Sequence, residues 1–420
     1  MYILMLAASV ILGVILCGKR YGTVGRAVYC AVGAIAFIVI SATRFEVGYD
    51  FNLYSGKYLD LQWLDITEFM SYDWEKGFSL PLFALSQLFE EYYTVIVYTS
   101  VITYAAVFWL IYKNSSVPWI SVTAFLCFGV YFNSLCFMRQ IIAGLIIAYA
   151  MKYAADKKPI YFFMLTLAAG SFHWSALIML GIYFLMKIRP GWIYLGIMTV
   201  GSVAAYIFTP QIMQWAYESA PFYSGKYRVE GEGLPPHCTI IFGILFLAAF
   251  LLRKRLMERN PANAMYINLL MFSVTFELLG MRHNILARFS LLTYLPPFLY
   301  LMPDLVLSAR DLINDFFEDT GKRDLAKIGA AAVGSVYALG CFLYLMSINY
   351  NGTIPYVSQF DRPYEIFAVP SAEEAEISEL EESEEVPTEA ETGTGDASEE
   401  TESDEAALER EILDQIELWD

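Results

Sequence analysis

Long apolar runs, interrupted by short polar links, recur along the first 350 residues of the chain. Of its 420 residues, 57% are hydrophobic and 16% are aromatic, and the mean hydropathy is +0.47. A run of about 20 apolar residues is long enough to cross a bilayer as a helix. Because an unpaired backbone group is costly in lipid, the chain must be helical there. The sequence therefore predicts an all-α, polytopic transmembrane bundle over residues 1–350, with roughly 11–13 spans or half-spans.

Lysine and arginine residues are concentrated in alternate links between the apolar runs. Short cytoplasmic loops are enriched in these residues, so the basic links are predicted to face the cytoplasm. This orientation places both termini on the outer side of the membrane. The predicted outer segments are the loops 44–92 and 210–236 and an extension over 351–370.

The acidic residues are gathered at the C-terminal end of the chain. Residues 371–420 contain 21 of the 44 acidic residues and a single basic residue, Arg410. Such a segment repels itself and has too few apolar residues to bury a core, which predicts a disordered acidic tail. The net charge of −17 therefore describes the tail. It indicates nothing about the substrate, and we expect no nucleic-acid partner.

The apolar run over 160–187 has basic residues at both ends, so both ends are predicted to be cytoplasmic. A single helix over this run would be about 42 Å long, too long for one crossing and too short for two. Two broken helices that meet at Gly170-Ser171 fit this length. A break survives in a bilayer only where it faces protein or a wet cavity. We therefore expect His173 to line a cavity, where its imidazole could accept a hydroxyl proton.

Three predicted outer sites each contain an arginine. Guanidinium groups bind phosphate oxygens bidentately and stay charged at any relevant pH, so their convergence suits a diphosphate whose lipid tail remains in the bilayer. An arginine beside aromatic residues is also typical of an interfacial anchor, and that alternative stays open. The predicted substrate-binding residues are Arg44, Glu46, Tyr54, Arg139, Gln140, Arg282, His283 and Arg288.

Other chemistry is not indicated by the sequence. Six cysteines show no close pairing, and the three histidines are widely separated, so no metal site and no cofactor are predicted. The chain has no Walker loop, HExxH or GxSxG motif, which argues against an ATP-driven pump and against zinc or serine hydrolases. For Glu277, inside an apolar run, we expect a structural hydrogen bond.

In their order along the chain, these motifs resemble the EpsG family of membrane exopolysaccharide proteins, relatives of the Wzy-type polymerases. The resemblance extends over residues 1–365 and excludes the acidic tail. The family often has Gly-Thr-Asp where this chain has Gly48-Tyr49-Asp50, so the central residue differs. The matching segments are Arg44–Asp50 with Tyr54, Met138–Gln140, Phe172–Ala176, and Asn284-Ile285 with Arg288.

The resemblance implies a metal-independent glycosyltransferase that polymerises oligosaccharide repeats linked to polyprenyl diphosphate at the outer face of the membrane. In this hypothesis His173 or Asp50 deprotonates the hydroxyl of the acceptor sugar. Arg44, Arg139 and Arg288 hold the diphosphate and stabilise its charge as it leaves. The expected partners are the lipid-linked oligosaccharide, the bilayer, and the chain-length regulator and flippase of the same pathway.

Three other classes of protein stay open at this point. A transporter or flippase of the lipid-linked sugar would be favoured by internal repeats and paired broken helices, but the sequence shows one clear break. A membrane O-acyltransferase acting on polysaccharide would use His173 with an acyl donor from the cytoplasm, whereas the polar residues are predicted to face outward. A structural subunit of a secretion complex would use the acidic tail for docking.

Overall fold

A computed structural model describes residues 1–18, 20–219 and 233–361 of the chain. These residues are almost entirely helical and contain no strand, so the predicted all-α membrane bundle is confirmed. The predicted disordered tail, residues 362–370 of the predicted extension and residues 220–232 of the predicted outer loop lie outside the described residues.

The helices follow the apolar runs of the sequence. In the first half they are α1 (Tyr2–Leu16), α2 (Gly22–Ala42), α3 (Phe51–Trp63), α4 (Ile66–Ser71), α5 (Lys76–Ser86), α6 (Tyr93–Asn114), α7 (Pro118–Cys127), α8 (Val130–Cys136), α9 (Met138–Ala155) and α10 (Pro159–Gly170). In the second half they are α11 (Ile178–Met186), α12 (Trp192–Ile207), α13 (Thr209–Ser219), α14 (His237–Leu251), α15 (Arg253–Arg259), α16 (Asn263–Gly280), α17 (Asn284–Ala287), α18 (Ser290–Phe316) and α19 (Thr320–Ser347). Short 3-10 helices occupy Trp174–Leu177, Tyr350–Gly352 and Gln359–Asp361.

Several helices of the described residues can cross a membrane by length and composition. Four qualify alone: α2, α6, α19 and the continuous segment Asn284–Phe316. Two bent pairs, α7 with α8 (63°) and α12 with α13 (68°), raise the number to six if each pair is one span. The apolar helices α1, α10 and α14 are shorter than a full crossing. The protein is therefore a multi-pass membrane protein in which many of the predicted crossings are short or bent.

Helix α9 lies at the centre of the bundle. Its side chains are buried on nearly every face, and Ile141, Ala143 and Ile147 are completely shielded. Small residues let helices approach closely, and a Cβ added at Gly144 would lie 3.0 Å from the side chain of Leu295 in α18. Because α9 is the central helix, residues at its first turn are held by neighbours on all sides.

The two ends of α9 differ in charge and surroundings. Its first turn contains Arg139 and Gln140, whereas its last turn contains Lys152 and leads to the basic link at Lys157-Lys158. Eighteen residues of helix separate these ends by about 27 Å. We call them the Arg139 end and the Lys152 end of the bundle. The polar residues predicted to bind substrate are gathered at the Arg139 end, away from the basic links.

Two helix-to-helix turns share one sequence pattern, Gly-x-x-His. The first turn runs from Gly170, the last residue of α10, to His173, and the second runs from Gly280, the last residue of α16, to His283. Both histidines have extended backbone, with φ/ψ of −159°/122° and −154°/113°. Each donates its N–H to a carbonyl four residues earlier, at 3.0 and 3.1 Å. The second turn is thus a structural copy of the first, which the sequence analysis did not detect.

Candidate functional site

Glu75 joins the first turn to the start of α9. Its carboxylate Oε2 lies 2.9 Å from Nη1 of Arg139, and its Oε1 lies 3.1 Å from Nδ1 of His173. The backbone N–H of Trp174 donates to the same Oε1 at 3.2 Å. Two of the predicted site residues are therefore held by one acid that the sequence analysis did not single out.

The electrostatic environment keeps Glu75 ionised. Burial raises the pKa of its carboxyl group, but the hydrogen bond from His173 and the positive charge of Arg139 outweigh burial and lower the pKa to about 2. The side chain of Glu75 is only 7% exposed, while those of Arg139 and His173 are 20% and 25% exposed. The site therefore has a buried anion beneath two groups that solvent can still reach.

The position of Glu75 is fixed by the start of α5. Glu75 precedes the first residue of that helix, and its carbonyl accepts the N–H groups of Phe78 and Ser79. Two residues further on, the N–H of Gly77 donates to the carbonyl of Ser171 in the first turn at 2.8 Å. A main-chain contact therefore holds the acid and the histidine-bearing turn side by side.

Aromatic side chains surround the guanidinium of Arg139. Its Cζ lies 4.8 Å from the ring centroid of Trp74 and 6.0 Å from that of Tyr54, which is within the range of cation–π attraction. The hydroxyl of Tyr54 accepts the backbone N–H of Arg139 at 3.3 Å. Tyr54 is buried, as the centre of an aromatic group with Trp74 and Phe78. These contacts set the direction of the Arg139 side chain.

Gln140 connects the two turns. Its Nε2 donates to the hydroxyl of Ser175, just after the first turn, at 3.1 Å, and to the carbonyl of Arg288, just after α17, at 2.6 Å. The guanidinium carbon of Arg288 lies 5.7 Å from the ring centroid of Phe137. Among the described residues no carboxylate lies within salt-bridge distance of Arg288. The guanidinium of Arg288 thus carries a positive charge that no described carboxylate neutralises.

Arg44 occupies a different environment, inside the protein. It is 2% exposed, and its guanidinium donates to the carbonyls of Ser41 at 3.1 Å and Leu135 at 2.9 Å. Its own carbonyl accepts a short hydrogen bond from the hydroxyl of Tyr93. Its backbone also pairs with Ser358 in an isolated bridge. These contacts tie the end of α2 to α8, α6 and the C-terminal segment, so the predicted role of Arg44 in binding diphosphate stays a prediction.

Two predicted site residues, Glu46 and Asp50, are acids that lie between Arg44 and Tyr54 in the sequence. Glu46 is exposed and has a left-handed backbone, with φ of 48°. Asp50 is half-buried and directly precedes α3. Burial raises the pKa of the Tyr54 phenol, Arg139 lowers it, and the charge of Asp50 raises it further, so Asp50 acts electrostatically on the site.

The second turn carries the remaining predicted residues. Arg282 is exposed, and its guanidinium carbon lies 4.7 Å from the ring centroid of Tyr206 in α12. His283 is buried, and this burial lowers the pKa of its imidazole. Glu277, one turn before Gly280, receives a hydrogen bond from the hydroxyl of Ser290 at 2.5 Å, the structural role expected for it.

The contacts therefore divide the predicted site residues into two sets. Tyr54, Arg139, Gln140 and His173 are linked directly or through Glu75, and Gln140 adds the backbone of Arg288. Within the part of the chain that is described, no group of three or more His, Cys, Asp or Glu side chains is placed to hold a metal ion. Two predicted residues make their contacts elsewhere: Arg44 with Ser41 and Leu135, and Arg282 with Tyr206.

Glu75 was missed because its sequence neighbours point to a surface position. It lies in Tyr72-Asp73-Trp74-Glu75-Lys76, where alternating charge and aromatic residues are typical of an interfacial segment. Its partner His173 is 98 residues away. The one available signal was the position of an acid directly before a short apolar helix.

These features define a class: a multi-pass helical membrane protein with a charged, partly buried polar site built from helix ends and turns at one end of the bundle. The model of the EpsG family matches residues 27–316, which is more than half of the chain. The chain therefore belongs to the EpsG family, and the resemblance seen in its motifs is confirmed. No curated protein and no solved structure matches it.

Proposed function

We propose that this protein polymerises oligosaccharide repeats carried on a polyprenyl diphosphate, at the outer face of the bacterial cytoplasmic membrane, during exopolysaccharide or capsule synthesis. Membership of the EpsG family supports a role in exopolysaccharide formation. The distribution of basic links supports the orientation, with both termini outside. The flippase and the chain-length regulator of the same pathway are the partners that such a polymerase requires.

The observation that carries the proposal is the link that Gln140 makes between Arg288 and the segment that follows His173. Gln140 bonds the backbone of Arg288 and the segment after His173 at once. A cation that no described carboxylate neutralises suits a diphosphate, and a partly exposed imidazole suits a sugar hydroxyl. In a polymerase, the donor diphosphate and the acceptor hydroxyl would therefore be held on either side of Gln140.

In the proposed reaction, the hydroxyl oxygen of the acceptor sugar forms a bond to the anomeric carbon of the donor repeat. The bond from that carbon to the diphosphate oxygen breaks, and its electron pair leaves with the polyprenyl diphosphate. The hydroxyl proton passes to a base, for which we propose His173, with Asp50 as the alternative. The diphosphate gains negative charge as it leaves, so a fixed guanidinium stabilises the transition state more than the ground state.

Reconstitution in liposomes tests this function directly. The full-length protein is supplied with a polyprenyl-diphosphate oligosaccharide from its own pathway, and the products are separated by size. We expect a ladder of longer lipid-linked chains from the wild type, and its loss in Arg288→Ala and His173→Ala variants of normal abundance. A wild-type protein that produces no ladder would contradict the polymerase proposal.

A second candidate, a transporter of the lipid-linked sugar, is favoured by one observation. The two Gly-x-x-His turns have matching backbone conformation and hydrogen bonding, and repeated elements around a central site are typical of transporters. Movement of a labelled lipid-linked oligosaccharide across the liposome bilayer, without elongation, would favour this candidate. Arg44, Arg139 and Arg288 would then bind the diphosphate as the lipid crosses the membrane.

A further inference from the structure

Glu75 is absent from every motif that supports the proposed function, yet it makes the most connections at the site. Both of its carboxylate oxygens are engaged: Oε2 by Arg139, and Oε1 by His173 and by the backbone N–H of Trp174. The contacts with Arg139 and Trp174 require the carboxylate to accept a hydrogen bond, whereas the direction of the contact with His173 depends on which group carries the proton. The role of Glu75 therefore depends on where it places the proton of His173.

The ionised carboxylate decides which nitrogen of His173 carries the proton. An ionised carboxylate has no proton to donate, and the guanidinium of Arg139 and the backbone N–H of Trp174 both donate to Glu75 and so favour its ionised form. The nitrogen 3.1 Å from it, Nδ1, must therefore be the donor. In a neutral imidazole only one nitrogen is protonated, so Nε2 keeps its lone pair.

We infer that Glu75 is a positioning residue that holds His173 in the tautomer with a protonated Nδ1, so that Nε2 receives the proton of the acceptor hydroxyl. This inference rests on the proposed function. Of the two candidate bases it favours His173, because the contact of Nδ1 with Glu75 leaves the lone pair on Nε2. It also explains why the first turn is bonded to the start of α5.

The same contacts separate the roles of the two arginines. The charge of Arg139 is largely offset by Glu75, so Arg139 serves to orient the acid and, through it, the histidine. Arg288 retains its full charge for the diphosphate. Loss of Glu75 is therefore expected to lower kcat with little change in KM for the lipid-linked donor, whereas loss of Arg288 raises KM.

The tautomer can be observed by ¹⁵N solid-state NMR of the full-length protein in liposomes, labelled at histidine. The chain has only three histidines, His173, His237 and His283, so comparison with a His173→Gln variant assigns the His173 signals. At about pH 8, where imidazole is ordinarily neutral, we expect the wild type to show protonated Nδ1. A wild-type His173 protonated at Nε2 instead would overturn the inference, even if no Glu75 variant folds.

Matched variants test the consequence for catalysis. Glu75→Gln removes the charge and is expected to populate the other tautomer and to lower kcat roughly 100-fold or more, the scale of general-base catalysis. Glu75→Asp keeps the charge and is expected to restore the Nδ1-protonated signal and part of kcat. Glu90→Gln, at an exposed acid of the same outer segment, serves as the control with wild-type behaviour.

The outcomes keep the inference separate from the proposed function. A Glu75→Gln protein with the wild-type tautomer, or with wild-type kcat on a polymerising substrate, overturns the positioning role. If Glu75→Gln changes the tautomer of His173 but the wild-type protein forms no polymer, the polymerase proposal is contradicted and the Glu75–His173 pairing is still supported.

Discussion

The N–H of Gly77 and the carbonyl of Ser171 are joined by a 2.8 Å hydrogen bond, and the space between them leaves no room for a side chain. A Cβ added at Gly77 would lie 2.4 Å from the hydroxyl of Ser171 and 2.5 Å from its carbonyl oxygen. Since Glu75 and His173 each lie two residues from this contact, the distance between α5 and the first turn sets the geometry of the site.

Replacement of Gly77 by alanine should therefore separate Glu75 from His173. We expect at least a tenfold loss of polymerising activity, about 1.4 kcal/mol in the activation barrier, because the added methyl group forces α5 and the turn apart. The measurement is the initial rate of ladder formation in liposomes. The matched control is Gly56→Ala in α3, where an added Cβ meets nothing within 4 Å. Equal rates for the two variants would contradict the expectation.

Replacement of Arg288 by alanine should weaken binding of the lipid-linked donor. A hydrogen bond to a charged group contributes about 1.5–3 kcal/mol, so KM should rise roughly 10- to 150-fold. Arg288→Lys keeps the charge but loses the paired donors of the guanidinium, so its KM should lie between those of the wild type and Arg288→Ala. The exposed Arg189, near the Lys152 end, provides the alanine control. An unchanged KM in Arg288→Ala would remove this residue from the substrate site.

The stability of the protein should depend on pH through Glu75. The pKa of Glu75 is about 2 in the folded protein, against an ordinary value of 4.5. Folding therefore stabilises the ionised form of this carboxyl group relative to the protonated form. This contribution, on the order of 3 kcal/mol, is fully present above about pH 4.5 and is lost as the pH falls toward 2. Thermal unfolding in detergent from about pH 6 to pH 3 measures it.

The Glu75→Gln variant isolates this dependence. It should unfold at a lower temperature than the wild type near neutral pH, and the difference should shrink as the pH falls below 4.5. A constant difference between the two proteins at every pH would show that the ionisation of Glu75 does not contribute to stability.

Arg44 should behave as a structural residue when it is replaced. Arg44→Met leaves the carbonyls of Ser41 and Leu135 without their donor, and unsatisfied buried groups cost about 1–3 kcal/mol each. We therefore expect a larger fall in Tm than in Arg288→Ala, with KM unchanged in the protein that remains folded. A normal Tm together with a raised KM would instead place Arg44 at the diphosphate, as the sequence analysis predicts.

The fold class could be predicted because lipid permits few solutions for an apolar chain. The length of the apolar run 160–187, which fits neither one crossing nor two, predicted a break, and the polar residues that begin at Gly170-Ser171 predicted its position. Helix α10 does end at Gly170. The second turn was harder to recognise, because α16 is long enough to be taken for an ordinary span that ends in a loop.

The site was only partly predictable, for a different reason. Arg139 and His173 carry charge or a titratable ring next to apolar runs, and such residues are conspicuous in a membrane sequence. Glu75 lies in a segment rich in polar residues, where one more acid is inconspicuous. Its importance comes from a contact across 98 residues, and no local pattern encodes such a contact. The interior position of Arg44 likewise depends on packing between α8 and the end of α2.

The segment that follows α19 returns to the beginning of the chain. The hydroxyl groups of Thr43 and Tyr356 lie 3.0 Å apart although 313 residues separate them, and the N–H of Phe45 donates to the carbonyl of Val357 at 2.9 Å. During synthesis the ribosome releases the segment after α2 long before its partner exists. The segment after α2 therefore lacks these contacts until all the later helices have been synthesised. Some of the last contacts of this protein to form are therefore made with a segment that was among the first to leave the ribosome.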